Sequence, residues 1–409
     1  MKLHLSAPSN TILDSEIAIT GSKSETNRLL LLQALFPNVR IENSSNSDDA
    51  EVMQKGLAIS KGVVDIHHAG TAMRFLTSYF ASQEGKEVLL TGSGRMKQRP
   101  IKVLVDALTG LGADIEYQEN EGYPPLKIKG KKITESTVSL PADISSQYIS
   151  SLCLVAPSLE NGLIIDLVGK ITSVPYIKMT LALLKELGVR TSFQGNQIKV
   201  HPQLEIEPLN LVVESDWSAA SYYYSITALA ALGSEIKLSS YKRNSLQGDS
   251  VLSEIYKDFG VDTDFAHNSI VLKKTRKHTP KPLHYDLSNA PDIAQTIAVT
   301  CFGLGMECRL TGLHTLPIKE TDRLAAMKTE LEKFGASVVI DHESLALQTT
   351  SQLNENVEVD TYNDHRMAMA FAPLALKIDL TVNDAGVVSK SYPDFWNHMK
   401  KVGFKVSHA

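Results

Sequence analysis

Cysteine is scarce in this chain, with Cys153, Cys301 and Cys308 the only three among 409 residues. They lie in apolar surroundings at no zinc-like spacing, which argues against a disulfide framework and predicts reduced core thiols. No uninterrupted apolar segment approaches the length needed to cross a bilayer. The opening Met1-Lys2-Leu3-His4-Leu5-Ser6-Ala7-Pro8 lacks a long apolar core and a cleavage signal, so a cytoplasmic protein is expected. A strong excess of positive charge is also missing. The net charge of −5 argues against a nucleic-acid coat, so any bound anion must be held by local cation clusters. There is no Pro/Ser linker or low-complexity tract. The basic run Lys273-Lys274-Thr275-Arg276-Lys277-His278 lies between a strand and prolines, and reads as a solvated turn. What is present, 43% hydrophobic and 21% charged residues, suits a soluble globular protein too long for one core.

One pattern recurs. An apolar helical segment ends at a glycine, and an alternating or β-branched strand follows, at Gly112, Gly188, Gly260, Gly335 and Gly403. The glycine takes the left-handed conformation that closes a helix before a strand. Five copies at near-equal spacing predict a repeated α/β unit of roughly 70 residues. A weaker first member lies at 48–55 with Gly56 or Gly62, and six units would make two domains of three.

Gly21-Ser22-Lys23-Ser24-Glu25-Thr26-Asn27-Arg28 precedes a run of leucines and reads as a loop entering a helix, with Ser22 or Ser24 capping. The unpaired N–H groups and positive dipole end of such a helix suit an anion, and Lys23 and Arg28 would add to that. The Gly-Lys-Ser/Thr order of a phosphate-binding P-loop is absent. Similar starts occur at Ala69-Gly70-Thr71-Ala72-Met73-Arg74 and at Asn363-Asp364-His365-Arg366-Met367-Ala368. Further candidates are Ser145-Ser146-Gln147-Tyr148, ahead of a helix over 149–155, and Ser173-Val174-Pro175-Tyr176. Arg95-Met96-Lys97-Gln98-Arg99-Pro100 is a compact basic loop.

Lys319-Glu320-Thr321-Asp322-Arg323 is the sharpest constellation. On one helix Lys319 and Arg323 would be i,i+4 neighbours and would repel unless an anion lay between them or each had a partner. Surface pairing with Glu320 and Asp322 is one reading; a bound multivalent anion, with Glu320 left as an acid/base group, is the other. Asp292, opening an apolar helix, is either a dipole-favoured cap or a second acid/base group.

These strings, with Arg99-Pro100 and Pro291-Asp292, occur in the order seen in the 5-enolpyruvylshikimate-3-phosphate synthase family, which the chain resembles over nearly its whole length. The resemblance implies the enolpyruvyl transferase fold, an α/β protein of two domains, each built from three βαβαββ-like units with helices packed inside. Residues 21–214 would form one domain and 1–20 with 215–409 the other, hinged near 20 and 214 and closing over the substrates. The implied reaction moves the enolpyruvyl group of phosphoenolpyruvate to the 5-hydroxyl of shikimate 3-phosphate, with no metal and no cofactor. By resemblance, Lys23, Gly70, Arg99, Gln147, Arg323, Arg366 and Lys390 bind phosphoenolpyruvate. Lys23, Ser24, Arg28, Ser145, Ser146, Gln147, Ser173, Tyr176, Asp292 and Lys319 bind shikimate 3-phosphate. Asp292, Lys23 and Glu320 would be catalytic. Partners would be these two small molecules, without nucleic acid or membrane, and the chain would be a monomer.

His68 stands where the family often has asparagine, Phe75 where proline is common, and Thr315 and Pro317 where asparagine and arginine are frequent. Gly70 keeps the small side chain that leaves room for glyphosate, so binding of that inhibitor is expected. The nearest rival is the sister transferase acting on UDP-N-acetylglucosamine. It usually carries a cysteine shortly before the Arg-Pro pair, and the loop 91–98 has none. A non-catalytic anion-binding protein on the same fold would not obviously need Glu320.

Overall fold

Each repeat-closing glycine falls between a helical segment and a strand, with φ of +99° at Gly112, +82° at Gly188, +79° at Gly260, +98° at Gly335 and +110° at Gly403. Side chains with a Cβ rarely adopt this region, which is why glycine recurs there. The computed structural model describes residues 1–143, 145–278, 281–348 and 353–409. The chain divides into two units, Gly21–Val213 and Met1–Thr20 with Glu214–Ala409.

In the Gly21–Val213 unit, Lys61–Asp65 pairs in parallel with Glu87–Thr91, which pairs antiparallel with Leu126–Lys129, itself antiparallel to Asp114–Tyr117. A parallel pair requires a crossover, and the helix Gly70–Ser82 supplies it. The order is therefore strand, helix, strand, helix, hairpin. Thr137–Pro141, Leu163–Val168, Gln197–Val200 and Thr191–Gln194 repeat it. The third sheet is reduced to Val39–Glu42 beside Leu209–Val212. Here the helix Asp48–Leu57 runs on to Lys61–Asp65, the first strand of the next sheet, with no hairpin of its own. That explains why the first repeat is faint in the sequence.

The other unit carries three four-stranded sheets of the same order. Asp14–Ile17 pairs in parallel with Glu235–Ser239, and Leu283–Asp286 with Cys308–Thr311. In the last sheet the N-terminal strand Leu3–Ser6 lies between Leu380–Val382 and Lys405–His408.

Strands such as Glu235–Ser239 alternate exposed and buried positions, so one face of the sheet meets water. The first crossover helix of several repeats is instead buried nearly all round. Trp217–Leu229 and Ala294–Gly303 bury almost every side chain, as Gly70–Ser82 does in the other unit. These helices pack on one another inside each unit with the sheets outside. All three cysteines are buried and unbridged.

Three local expectations change. The 273–278 run is not wholly a solvated turn, because Lys274 ends the strand Ser269–Lys274 and is buried. Its Nζ donates to the Phe259 carbonyl at 2.6 Å, and burial, reinforced by Lys377 and Arg276, pulls its pKa to about 8. The helix expected over 149–155 begins earlier, as Ser146–Val155, because Ser145 accepts from the Gln147 N–H and caps it. In Lys23–Leu35, Ser22 occupies the cap position without a side-chain capping bond, and Ser24 lies inside the first turn.

Candidate active site

Within Gly21–Val213, the candidate residues gather at helix starts. Lys23 opens its helix with Nζ 3.3 Å from Asp49 Oδ2. Arg28, one turn on, is only 2% exposed. Its Nε donates to Thr180 Oγ1 at 2.7 Å, Nη1 to the Ser24 carbonyl at 2.7 Å, and Nη2 to Ser150 Oγ at 3.2 Å and the Tyr176 carbonyl at 3.3 Å. Burial pulls its pKa down to about 10. Arg28 therefore positions Ser24 and Tyr176. The buried Phe75 ring lies 5.4 Å from its guanidinium carbon, a packing role for the aromatic ring where proline is common.

Arg99 lies against Gly70. A Cβ built on that glycine would stand 2.4 Å from Arg99 Nη1, so the guanidinium needs the missing side chain. Arg74, in a helix start that resembles an anion site, is buried and aims elsewhere, donating to the Gly70 carbonyl at 3.2 Å and the Pro100 carbonyl at 2.9 Å. Tyr148 OH donates to the same Pro100 carbonyl at 2.6 Å. Arg74 and Tyr148 thus fix the backbone that carries Arg99. Gln147 Nε2 reaches Thr71 Oγ1 at 3.3 Å, linking two helix starts. His68 Nδ1 is 2.7 Å from Ser93 Oγ. Ser173 precedes its helix in the left-handed region at φ +52°, and its carbonyl accepts from the Tyr176 N–H at 3.1 Å.

In the other unit the centre is Arg323. Lys319 and Arg323 do not share a helix: Lys319 ends the short turn Leu316–Ile318, and Asp322 caps a new helix, Arg323–Lys333, accepting from the Leu324 and Ala325 N–H groups at 3.1 Å. The anion between the two cations is Asp292, which instead of capping its helix takes Arg323 Nη1 at 2.8 Å on Oδ1, with Lys319 Nζ at 3.7 Å. Arg323 Nη2 also donates to Glu320 Oε2 at 2.8 Å, and Nε to Asp364 Oδ2 at 2.6 Å. Burial works against the Arg323 charge, but Asp364, Glu320 and Asp292 overcome it and hold its pKa above the ordinary arginine value. Asp292 draws the Lys319 pKa upward, yet burial with Arg323 and Arg366 outweighs it and leaves it below the usual lysine value.

Arg366, in the first turn of His365–Phe371, places Nη2 3.3 Å from Asp292 Oδ2 and 3.3 Å from Ser218 Oγ. Lys390 Nζ donates to the Asn363 carbonyl at 2.5 Å. Asp292, Glu320, Lys319, Arg323 and Arg366 thus come together as one cluster, while Lys390 attaches to the residue before Asp364. Sequence alone assigns no role to Asp364. Its signal was there: an aspartate before a helix, capping the Arg366 N–H at 2.9 Å. Among the described residues no group of three or more His, Cys, Asp or Glu side chains could hold a metal ion. Among the described residues, too, no helix is long and apolar enough to cross a membrane.

The family model for EPSP synthase (3-phosphoshikimate 1-carboxyvinyltransferase) matches residues 54–399. A Bacteroides fragilis 3-phosphoshikimate 1-carboxyvinyltransferase is 44% identical over 99% of both chains. The chain belongs to the EPSP synthase family. Another relative, the 3-phosphoshikimate 1-carboxyvinyltransferase of Vibrio atlanticus, is 36% identical over 95% of this chain and 96% of its own. The fold agrees with that of EPSP synthase from Acinetobacter baumannii, at TM-score 0.81 and 20% identity over 100% of both chains. The enolpyruvyl transferase NikO from Streptomyces tendae has the same architecture, at TM-score 0.75 and 14% identity, covering 100% of this chain and 99% of its own.

Proposed function

We propose that this chain transfers the enolpyruvyl group of phosphoenolpyruvate to the 5-hydroxyl of shikimate 3-phosphate and releases phosphate. The observation that carries this reading is that one buried guanidinium, that of Arg323, holds both proposed acid/base carboxylates, Asp292 and Glu320, each at 2.8 Å. Asp292 removes the hydroxyl proton with Lys23 assisting, and the alkoxide attacks the enol carbon. Glu320 delivers a proton to the methylene carbon, giving a tetrahedral ketal. As the ketal loses phosphate, Glu320 removes a methyl proton and the double bond re-forms. Lys23, Gly70, Arg99, Gln147, Arg323, Arg366 and Lys390 hold phosphoenolpyruvate, the cations facing the developing phosphate charge. Ser24, Ser145, Ser146, Gln147, Ser173, Tyr176, Lys23, Asp292 and Lys319 hold shikimate 3-phosphate, with Arg28 behind Ser24 and Tyr176. We read the protein as a cytoplasmic monomer.

Phosphate release from phosphoenolpyruvate is the direct test, with shikimate 3-phosphate and UDP-N-acetylglucosamine as separate acceptors. Release is expected with the first alone; release only with the second, or with neither, overturns the reading. Lys390→Ala is expected to raise the KM for phosphoenolpyruvate about tenfold, the cost of one charged contact, and to leave that for shikimate 3-phosphate nearly unchanged. An equal rise for both would remove Lys390 from the phosphoenolpyruvate site.

Gly70→Ala puts a methyl group where Arg99 Nη1 now lies, 2.4 Å from the new carbon. The guanidinium is the far end of a flexible side chain, so it can swing away at little cost to folding. The expected outcome is an unchanged melting temperature, a KM for phosphoenolpyruvate raised about tenfold, and a glyphosate inhibition curve moved to higher concentration. Unchanged phosphoenolpyruvate kinetics would show that Arg99 makes no contact with it.

A further inference from the structure

Asp249 is 5% exposed, in the short turn Gly248–Val251, and plays no part in the reaction just described. Ser218 Oγ donates to its Oδ2, and the same Oγ accepts from Arg366 Nη2 at 3.3 Å. Arg366 Nη2 in turn lies 3.3 Å from Asp292 Oδ2. Three elements therefore meet here: the start of Trp217–Leu229, the turn Pro291–Ile293 and the start of His365–Phe371. Charged groups on these elements that act on Asp249 include Asp216, Asp292 and Arg366.

The charge balance is unusual for an anion site. Lys319, Arg323 and Arg366 supply three cations, while Asp216, Asp249, Asp292, Glu320 and Asp364 supply five carboxylates. With these groups ionised the set is negative, and a further anion on Arg366 would be separated from Asp249 only by that guanidinium and the Ser218 hydroxyl. In the buried setting that repulsion is poorly screened.

We infer that Asp249 takes up a proton from solvent when phosphoenolpyruvate binds at Arg366, so that this buried carboxyl couples substrate affinity to pH. The inference rests on the assignment of Arg366 to phosphoenolpyruvate. Asp249 is already poised for the step: burial, then the Asp292 charge, raise its pKa to about 7, with Arg366 and the Ser218 hydroxyl opposing. The sign follows from linkage. An arriving anion raises the pKa further, so binding takes up a proton where Asp249 is still ionised, and affinity falls as pH rises through neutrality. Ser218 is a positioning residue: its hydroxyl favours the ionised form and joins it to Arg366.

The test is the KM for phosphoenolpyruvate, at saturating shikimate 3-phosphate, across neutral pH in wild type, Asp249→Asn and Ser218→Ala. Titration of the phosphoenolpyruvate phosphate itself is common to all three and cancels. Wild type should lose affinity by up to about tenfold per pH unit above neutrality relative to Asp249→Asn, whose amide keeps the shape but cannot ionise. The KM for shikimate 3-phosphate should follow the same pH course in both. Superimposable profiles for phosphoenolpyruvate overturn the inference. If Asp249→Asn fails to fold, Ser218→Ala decides: its loss of affinity should move to higher pH, and an unmoved profile is the contrary result. A wild-type chain that forms no product refutes the transferase reading instead. Calorimetry of phosphoenolpyruvate binding in buffers of different ionisation enthalpy then still reads the proton. Uptake by wild type supports the inference, and its absence overturns it.

Discussion

Glu320→Gln is expected to lower kcat about 10²- to 10⁴-fold while both KM values stay nearly constant, the signature of losing a proton-transfer group. The amide matches the carboxylate in size and can still accept from Arg323 Nη2, which now reaches Glu320 Oε2 at 2.8 Å. What it cannot do is give a proton to the methylene carbon of phosphoenolpyruvate and later take one back. Steady-state kinetics with each substrate varied would decide the matter. Retained turnover would place the proton transfer on another group.

Arg323→Met is expected to abolish activity and also to cost about 3–5 kcal/mol of stability, because it leaves buried charge without its counterion. Arg323 is 2% exposed and contacts Asp364, Asp292 and Glu320 at 2.6, 2.8 and 2.8 Å. Asp364 is fully buried and also caps the Arg366 helix, so its loss of a partner reaches a second cation. Urea unfolding would measure the stability effect. A variant as stable as wild type would show that the remaining cations, Lys319 and Arg366, suffice to balance the carboxylates.

The repeat was legible in the sequence because its marker has a local cause: a helix that must stop before a strand calls for glycine with positive φ, and five positions show it. The sixth was faint because its repeat lacks the closing hairpin, which no local signal announces. Reading Lys319 and Arg323 onto one helix failed for an equally local reason. In the sequence Asp322 reads as a possible ion-pair partner, but its carboxylate caps a helix that begins only at Arg323. Arg74 misled in the opposite direction: a cation one turn into a helix suggested an anion ligand, yet its donors turn to the carbonyls of Gly70 and Pro100. Asp249 was not legible at all. Its significance depends on Asp292 and Arg366, which only the packing of three separate repeats brings to it.

The interleaving of the N-terminal strands has a consequence for biosynthesis. Gly21–Val213 is continuous, so its sheets can assemble from neighbouring chain as it leaves the ribosome. Leu3–Ser6 and Asp14–Ile17, although made first, must stay unpaired until Leu380–Val382, Lys405–His408 and Glu235–Ser239 emerge. The carboxylate–guanidinium cluster therefore belongs to the half of the protein that matures last, and an interrupted translation product would carry the Lys23 and Arg99 half without that cluster.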